Sequence, residues 1–261
     1  MKEKIEELCK KIEKENNIKI LFAIENGSRA WRMESKDSDY DIRFVYARPI
    51  KEYLQINQPN DVINISLDKD LKPCKAEGAL IDISGFDIFK YTKLLANSNP
   101  TTIEWITTDI IYYGEQNKVF KEYALKNFNP MALYYHYKSL CKNNYLDYIK
   151  SRQEITYKKY LYSFRGLINA KYVAHKNKVP PIIFIEAVNE MKGIIPEGII
   201  KKLYDIIKIK SEGREKNKVD NIGLMDSYIE SFLKDDSEIK IDKKEKNLEV
   251  LNKEIQRILK V

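Results

Sequence analysis

Two carboxylates spaced two residues apart, Asp39 and Asp41, follow a Gly27-Ser28 pair after ten intervening residues and lead into an apolar run, Ile42 to Ala47. On extended backbone, residues i and i+2 point to one face about 6.5 Å apart, so both carboxylates can meet one cation. Two hard oxygen donors, completed by water and substrate phosphates, suit Mg²⁺ or Mn²⁺. Gly27-Ser28 itself ends an earlier apolar run, Ile18 to Ile24. Glycine there lets backbone N–H groups and the Ser28 hydroxyl close on an anion, and a following helix N-terminus favours negative charge. Arg29, next in the chain, adds a charged fork for phosphate oxygens.

Each piece also has a simpler reading. Gly27-Ser28 alone is a turn with a helix N-cap, Asp37-Ser38-Asp39 a capped turn, and a lone Asp-x-Asp a solvated loop. The order of strand, Gly-Ser, spacer and Asp-x-Asp entering a second strand is rarer than any of its parts. A two-metal centre needs a further carboxylate to neutralise the second cation and to activate an attacking hydroxyl. Asp82 is favoured, because a carboxylate between Ile81 and Ile83 is costly without a partner. Asp87 is the rival, and equally reads as a capping charge at a helix start. His136 and His175, 39 residues apart and without companion cysteines, give no zinc or nucleophilic site and read as hydrogen-bonded packing residues.

Alternating and helical spacings outline the elements that must position these groups. Residues 2–16 form an amphipathic helix with Ile5, Leu8, Cys9 and Ile12 on one face. Strands follow at 18–24, 42–47, 61–67 and 79–84, with a short helix at 51–56 and a turn through Pro73 and Gly78. A helix over 86–96 ends at Asn99-Pro100. Beyond residue 130 the helical segments are 130–150, 153–176, 181–192, 196–212, 219–234 and 243–260. The fold class is α+β: a small mixed-sheet domain over 1–128, then a helical domain over 129–261.

Composition narrows the class. The chain has 261 residues, 43% hydrophobic, enough to bury a core. No apolar run reaches the roughly 20 residues of a membrane span, and the charged first residues do not resemble a signal peptide, so a cytoplasmic location is expected. Cys9, Cys74 and Cys141 are scattered and odd in number, as reduced thiols would be. A net charge of +7 is compatible with a polyanionic partner but equally with compositional bias. Trp31, Tyr40 and Trp105 are candidate base-stacking residues, although Trp105 between Ile103 and Ile106 reads first as core. The mixed-charge run from Asp235 to Lys246 reads as a loop and the start of an exposed helix packing through Leu248, Leu251, Ile255 and Ile258.

Gly27-Ser28, then Asp39-Tyr40-Asp41, then a separate strand aspartate is similar to the DNA polymerase β-like nucleotidyltransferase superfamily. The blocks Gly27-Ser28-Arg29-Ala30-Trp31, Asp37 to Phe44, Asp82 to Asp87, Ser98-Asn99-Pro100 and Glu104-Trp105 resemble its RNA repair pathway branch more closely, with weaker likeness at Tyr135-His136-Tyr137, Lys158-Lys159-Tyr160 and Arg165. The resemblance implies metal on Asp39, Asp41 and Asp82, triphosphate at Gly27, Ser28 and Arg29, and transfer of a nucleoside monophosphate from an NTP such as ATP to a hydroxyl. It also implies nucleotide contacts by Lys158, Lys159, Tyr160 and Arg165, against which stands a solvated basic helix face with a core tyrosine. An RNA or tRNA end is the expected acceptor; a small molecule, a protein hydroxyl, or a catalytically silent binding module are the alternatives. Two positions depart from the pattern: Arg32 stands where a glycine is expected, and Phe86 where a tryptophan is usual.

Overall fold

The computed structural model describes residues 1–36, 38–75, 79–151, 155–214, 217–235 and 244–261. Asp37, Gly78, the first residues of the helix expected from 153 and most of the 235–246 run lie outside the described residues.

Helix α1 (Lys2–Asn16) buries Ile5, Cys9 and Ile12 and ends at Asn17, which takes the left-handed conformation (φ 51°) open to asparagine. The strands are β1 (Lys19–Glu25), β2 (Tyr40–Ala47), β3 (Val62–Leu67), β4 (Ile81–Asp87) and β5 (Ile111–Gly114). Among the described residues they form one mixed sheet in the order β3-β4-β2-β1-β5, in which only the β2–β4 pairing is parallel. Ile42, Phe44, Tyr46, Ile81 and Ile83 share a core with Ile5, Cys9 and Ile12 of α1. Strand alternation therefore turns Asp41, Arg43 and Asp82 to the opposite face. Gly85 leaves room for the Phe44 ring, which would lie 2.1 Å from a side-chain Cβ.

Helices α2 (Gly27–Ala30) and α3 (Ile50–Tyr53) are single turns. Strand β4 runs through Phe86 and Asp87, so α4 (Ile88–Ala96) starts two residues later than its spacing suggested; Phe86 packs instead against Trp105, with ring centroids 4.5 Å apart and planes tilted by 34°. Asn99-Pro100 both ends one helix and begins another. Asn99 accepts from the Thr101 N–H as the cap of α5 (Pro100–Thr107), where the fixed proline φ suits the first turn. Helix α6 (Lys118–Lys126), like β5, has no counterpart in the sequence-based outline.

The helical segments are α7 (Pro130–Asn144) with a π-helical turn at Tyr145–Lys150, α8 (Tyr157–Lys176), α9 (Phe184–Glu190), α10 (Glu197–Ser211), α11 (Gly223–Lys234) and α12 (Leu248–Leu259). Gly166 lets α8 approach α7, since a Cβ there would lie 2.6 Å from the Cys141 nitrogen.

Two compact units result: Met1–Ala30, Ser38–Phe128 and Glu245–Val261 form the first, Trp31–Asp37 and Asn129–Lys244 the second. This grouping differs from one cut near residue 128 by exchanging two segments. Helix α12 joins the sheet unit because Leu251 and Ile255 are buried and the buried Glu254 accepts from Asn117, the cap of α6. Trp31 joins the helical unit because the Arg165 guanidinium lies 3.6 Å from its ring centroid, Tyr162 meets it edge-on, and its carbonyl accepts the Phe184 N–H.

Candidate active site

The turn after β1 is tied to β2 by the Asn26 N–H, which donates to the Asp41 carbonyl at 2.8 Å. Gly27 is required there twice over. Its φ of 61° lies in the left-handed region, and a Cβ would fall 2.0 Å from Asp41 Oδ2. The Asp41 carboxylate is thus packed directly against the Gly27 backbone. Because α2 spans only four residues, an anion here would meet the N–H groups of one turn, without the summed dipole of a long helix. Ser28 is 6% exposed. Arg29, expected as a phosphate fork, donates from Nε to the Asp39 carbonyl (3.0 Å) and from Nη2 to the Ser38 carbonyl (2.6 Å), with its guanidinium 3.9 Å from the Tyr40 ring centroid. It clamps the acidic segment to the glycine turn.

Asp41 and Asp82 are direct partners in the parallel β2–β4 register, and Ser66 is the partner of Asp82 on β3. Their side chains are 23% and 32% exposed. Between them lies Arg43, whose Nη2 is 3.2 Å from Asp41 Oδ1 and 2.8 Å from Asp82 Oδ2. Arg43 is the partner that the carboxylate between two isoleucines required. Ser66 Oγ is 3.4 Å from the other oxygen, Asp82 Oδ1.

Asp39 differs from both. It lies exposed, one residue before β2, so the same-face rule for extended residues does not reach it. Among the described residues no three His, Cys, Asp or Glu side chains are grouped closely enough to hold a metal ion unaided. Asp41 and Asp82 fit a cation completed by water and substrate oxygens, the usual condition of Mg²⁺.

Asp87, the rival third carboxylate, stands five register positions along β4, opposite Tyr46. It is 4% exposed, caps α4 through the Phe89 N–H (2.9 Å) and accepts the Tyr53 hydroxyl (2.8 Å). Burial raises its pKa.

Glu25 and Arg43 are neighbours of the site that residue-type arguments passed over. Glu25 is fully buried; its carboxylate accepts the Asp41 N–H (2.8 Å) and the Tyr112 hydroxyl (2.6 Å). Burial pushes its pKa up to about 7, against the lowering effect of these two donors. A lone carboxylate closing the apolar strand Ile20 to Ile24, and a cation two residues beyond Asp41 on the same strand face, were the available signals.

The basic candidates of the second unit lie on α8. Tyr160, expected to meet nucleotide, is fully buried; its hydroxyl donates to Asp226 Oδ1 (2.7 Å) and accepts the Ile222 N–H (2.9 Å), so it pins α11 to α8. The Lys159 ammonium stands 3.2 Å from the Tyr148 ring centroid, and Lys158 5.6 Å from that of Tyr162. Arg165 is 7% exposed against Trp31. His136 and His175 are exposed, contrary to the packing role expected of them. All three cysteines are free thiols.

Among the described residues no helix is long and apolar enough to cross a membrane. The chain is 32% identical over 269 residues to the "Uncharacterized protein YcgL" of Bacillus subtilis (strain 168), covering 99% of this chain and 95% of that protein. It is 29% identical over 141 residues to the "Uncharacterized protein 062L" of Invertebrate iridescent virus 6, covering 53% of this chain and 76% of that one. The RNA repair pathway DNA polymerase beta family matches residues 1–259. With the Gly27 turn, the in-register Asp41 and Asp82 and nearly the whole length matched, the chain belongs to the RNA repair pathway DNA polymerase beta family.

Proposed function

We propose that the protein is a metal-dependent nucleotidyltransferase that transfers a nucleoside monophosphate from an NTP to a hydroxyl at an RNA end, with pyrophosphate leaving. The observation that carries this reading is the packing of the Asp41 carboxylate against the Gly27 turn, with Asp82 beside it in register. A triphosphate taken up by the Gly27-Ser28 turn would then lie against the carboxylates. Asp41 and Asp82, joined by Asp39, would hold Mg²⁺ or Mn²⁺, which when bound lowers the pKa of an acceptor hydroxyl and stabilises charge on the leaving phosphates.

The chain's own residues prepare the rest. Glu25 fixes the backbone of Asp41, and Arg29 fixes that of Ser38 and Asp39, so the acidic segment meets its substrate with little reordering. The Asp82 side chain is 32% exposed, and its Oδ1, the oxygen that does not accept from Arg43, is suited to accept the proton of the attacking hydroxyl. For Lys158, Lys159 and Arg165 the nucleotide role rests on the family resemblance, and Lys158→Ala with Lys159→Ala tests it through the Kd for NTP.

The whole reading is tested by incubating the protein with each labelled NTP, Mg²⁺ or Mn²⁺, and RNA with free 3′ hydroxyls. Label on RNA, lost in Asp41→Asn, is the expected result. Label on protein or a small molecule with RNA untouched would move the acceptor, and neither transfer nor NTP binding would end the enzyme reading.

A further inference from the structure

The Arg43 guanidinium has an acceptor for every hydrogen on its two terminal nitrogens. Nη2 serves Asp41 Oδ1 (3.2 Å) and Asp82 Oδ2 (2.8 Å), while Nη1 serves the backbone carbonyls of Ile42 (2.9 Å) and Asp82 (3.0 Å). Those carbonyls belong to two neighbouring strands, so the fork is fastened to the sheet as well as to the carboxylates. The side chain is 16% exposed. A lysine ammonium has three donors on one point and cannot reproduce this four-way pattern.

We propose that Arg43 is a resident cation of the carboxylate pair, a positioning residue that stays in place when a divalent ion binds and makes that binding weak until nucleotide arrives. The inference rests on the nucleotidyltransferase reading. Three physical points carry it. Asp41 and Asp82, side by side on parallel strands, would repel one another without a cation, and Arg43 supplies one fixed to their own backbone. Arg43 takes one oxygen of each carboxylate, while Asp41 Oδ2 is packed at the Gly27 backbone and Asp82 Oδ1 lies beside Ser66. A divalent ion binding either carboxylate would therefore do so with the Arg43 charge already 3.2 Å from Asp41 and 2.8 Å from Asp82. That charge lowers the affinity of the bare protein for any cation, whereas the triphosphate brings enough negative charge to restore it. The device suits an enzyme that should hold its metal only when a nucleotide is present.

The test is a Mn²⁺ titration followed by electron paramagnetic resonance on the intact protein, with and without a non-hydrolysable NTP. Variants are Arg43→Gln, Arg43→Lys and Asp82→Asn, each checked for an unchanged circular dichroism spectrum. Without nucleotide, Arg43→Gln should bind Mn²⁺ about tenfold tighter than the wild type, Arg43→Lys should stay weak, and the NTP analogue should tighten the wild type far more than Arg43→Gln. Folded Arg43→Gln binding Mn²⁺ no tighter than the wild type overturns the proposal. If that variant fails to fold, the wild type alone decides: Mn²⁺ binding as tight without the analogue as with it overturns the proposal. Asp82→Asn separates the two readings. Loss of Mn²⁺ binding in Asp82→Asn, with no tightening in Arg43→Gln, would sink the role of Arg43 alone, whereas Mn²⁺ binding indifferent to Asp82 would sink the metal site beneath it.

Discussion

The two ends of strand β4 carry the same residue type in opposite circumstances. At its start, Asp82 is 32% exposed and answered by a charged side chain on the next strand; at its end, Asp87 is 4% exposed and answered by a helix N–H and a tyrosine hydroxyl. Both are satisfied, which is what burial of a carboxylate demands. The difference lies in what is left over. Asp82 keeps a side chain 32% exposed and a carboxylate partner in register, and on these its proposed metal role rests. Asp87 has one oxygen on the start of α4 and the other on the Tyr53 hydroxyl, which gives it a structural role.

The largest effect expected from this contrast is on transfer. Asp82→Asn should reduce kcat by roughly a hundred- to thousandfold with the melting temperature little changed, and Asp87→Asn should leave kcat of the folded protein within a small factor of wild type. Comparable losses in both would dissolve the distinction. Gly27→Ala comes next, because the new methyl must displace Asp41 Oδ2 and the backbone must hold a left-handed φ. It should cost about 1–2 kcal/mol from the backbone alone and lower kcat more than NTP affinity, as read from steady-state kinetics and urea unfolding. Asp87→Ala should lower stability by about 2 kcal/mol, through the lost cap and the stranded Tyr53 hydroxyl, in chemical denaturation.

The smallest effect concerns pH. Glu25 binds its proton more tightly folded than unfolded, its pKa being raised from 4.5 to about 7. A native state that holds the extra proton is favoured at low pH, so this contribution is complete below about 4.5 and fades as pH rises through 7. Glu25→Gln removes it. The stability of Glu25→Gln relative to wild type should therefore rise between pH 4.5 and pH 7.5, by an amount on the order of 2 kcal/mol, in urea midpoints across that range. A difference independent of pH would show that Glu25 does not titrate there.

Much of the sheet unit was legible because its signals are local. Apolar runs marked β1 and β2, alternation marked β3, the isoleucines around Asp82 marked β4, helical spacing marked α1, and Gly27 marked a turn open to close backbone approach. Arg32, set where a glycine was expected, has φ 54°, the conformation that explains the expectation. The stretch from Pro100 to Lys126 was read poorly. Strand β5 has four residues at a sheet edge, three of intermediate burial and one exposed, too short to display alternation, and Asn99-Pro100 looks the same whether it ends one helix or opens the next. Tyr160 and Arg29 show a further limit: the family resemblance gave the first and residue type the second a nucleotide role, whereas in the fold the Tyr160 hydroxyl donates to Asp226 and Arg29 donates to two backbone carbonyls.

By itself the sequence determined the family, the α+β class, the glycine turn and the carboxylates worth considering, since these depend on residue type, period and short spacing. Only the tertiary structure decided which aspartates meet, that Arg43 lies between them, and that a buried Glu25 steadies Asp41. Strand register, which sets Asp82 beside Asp41 and Asp87 beside Tyr46, is fixed by the pairing of distant segments and by which face each strand buries. No local pattern in the chain encodes that alignment directly.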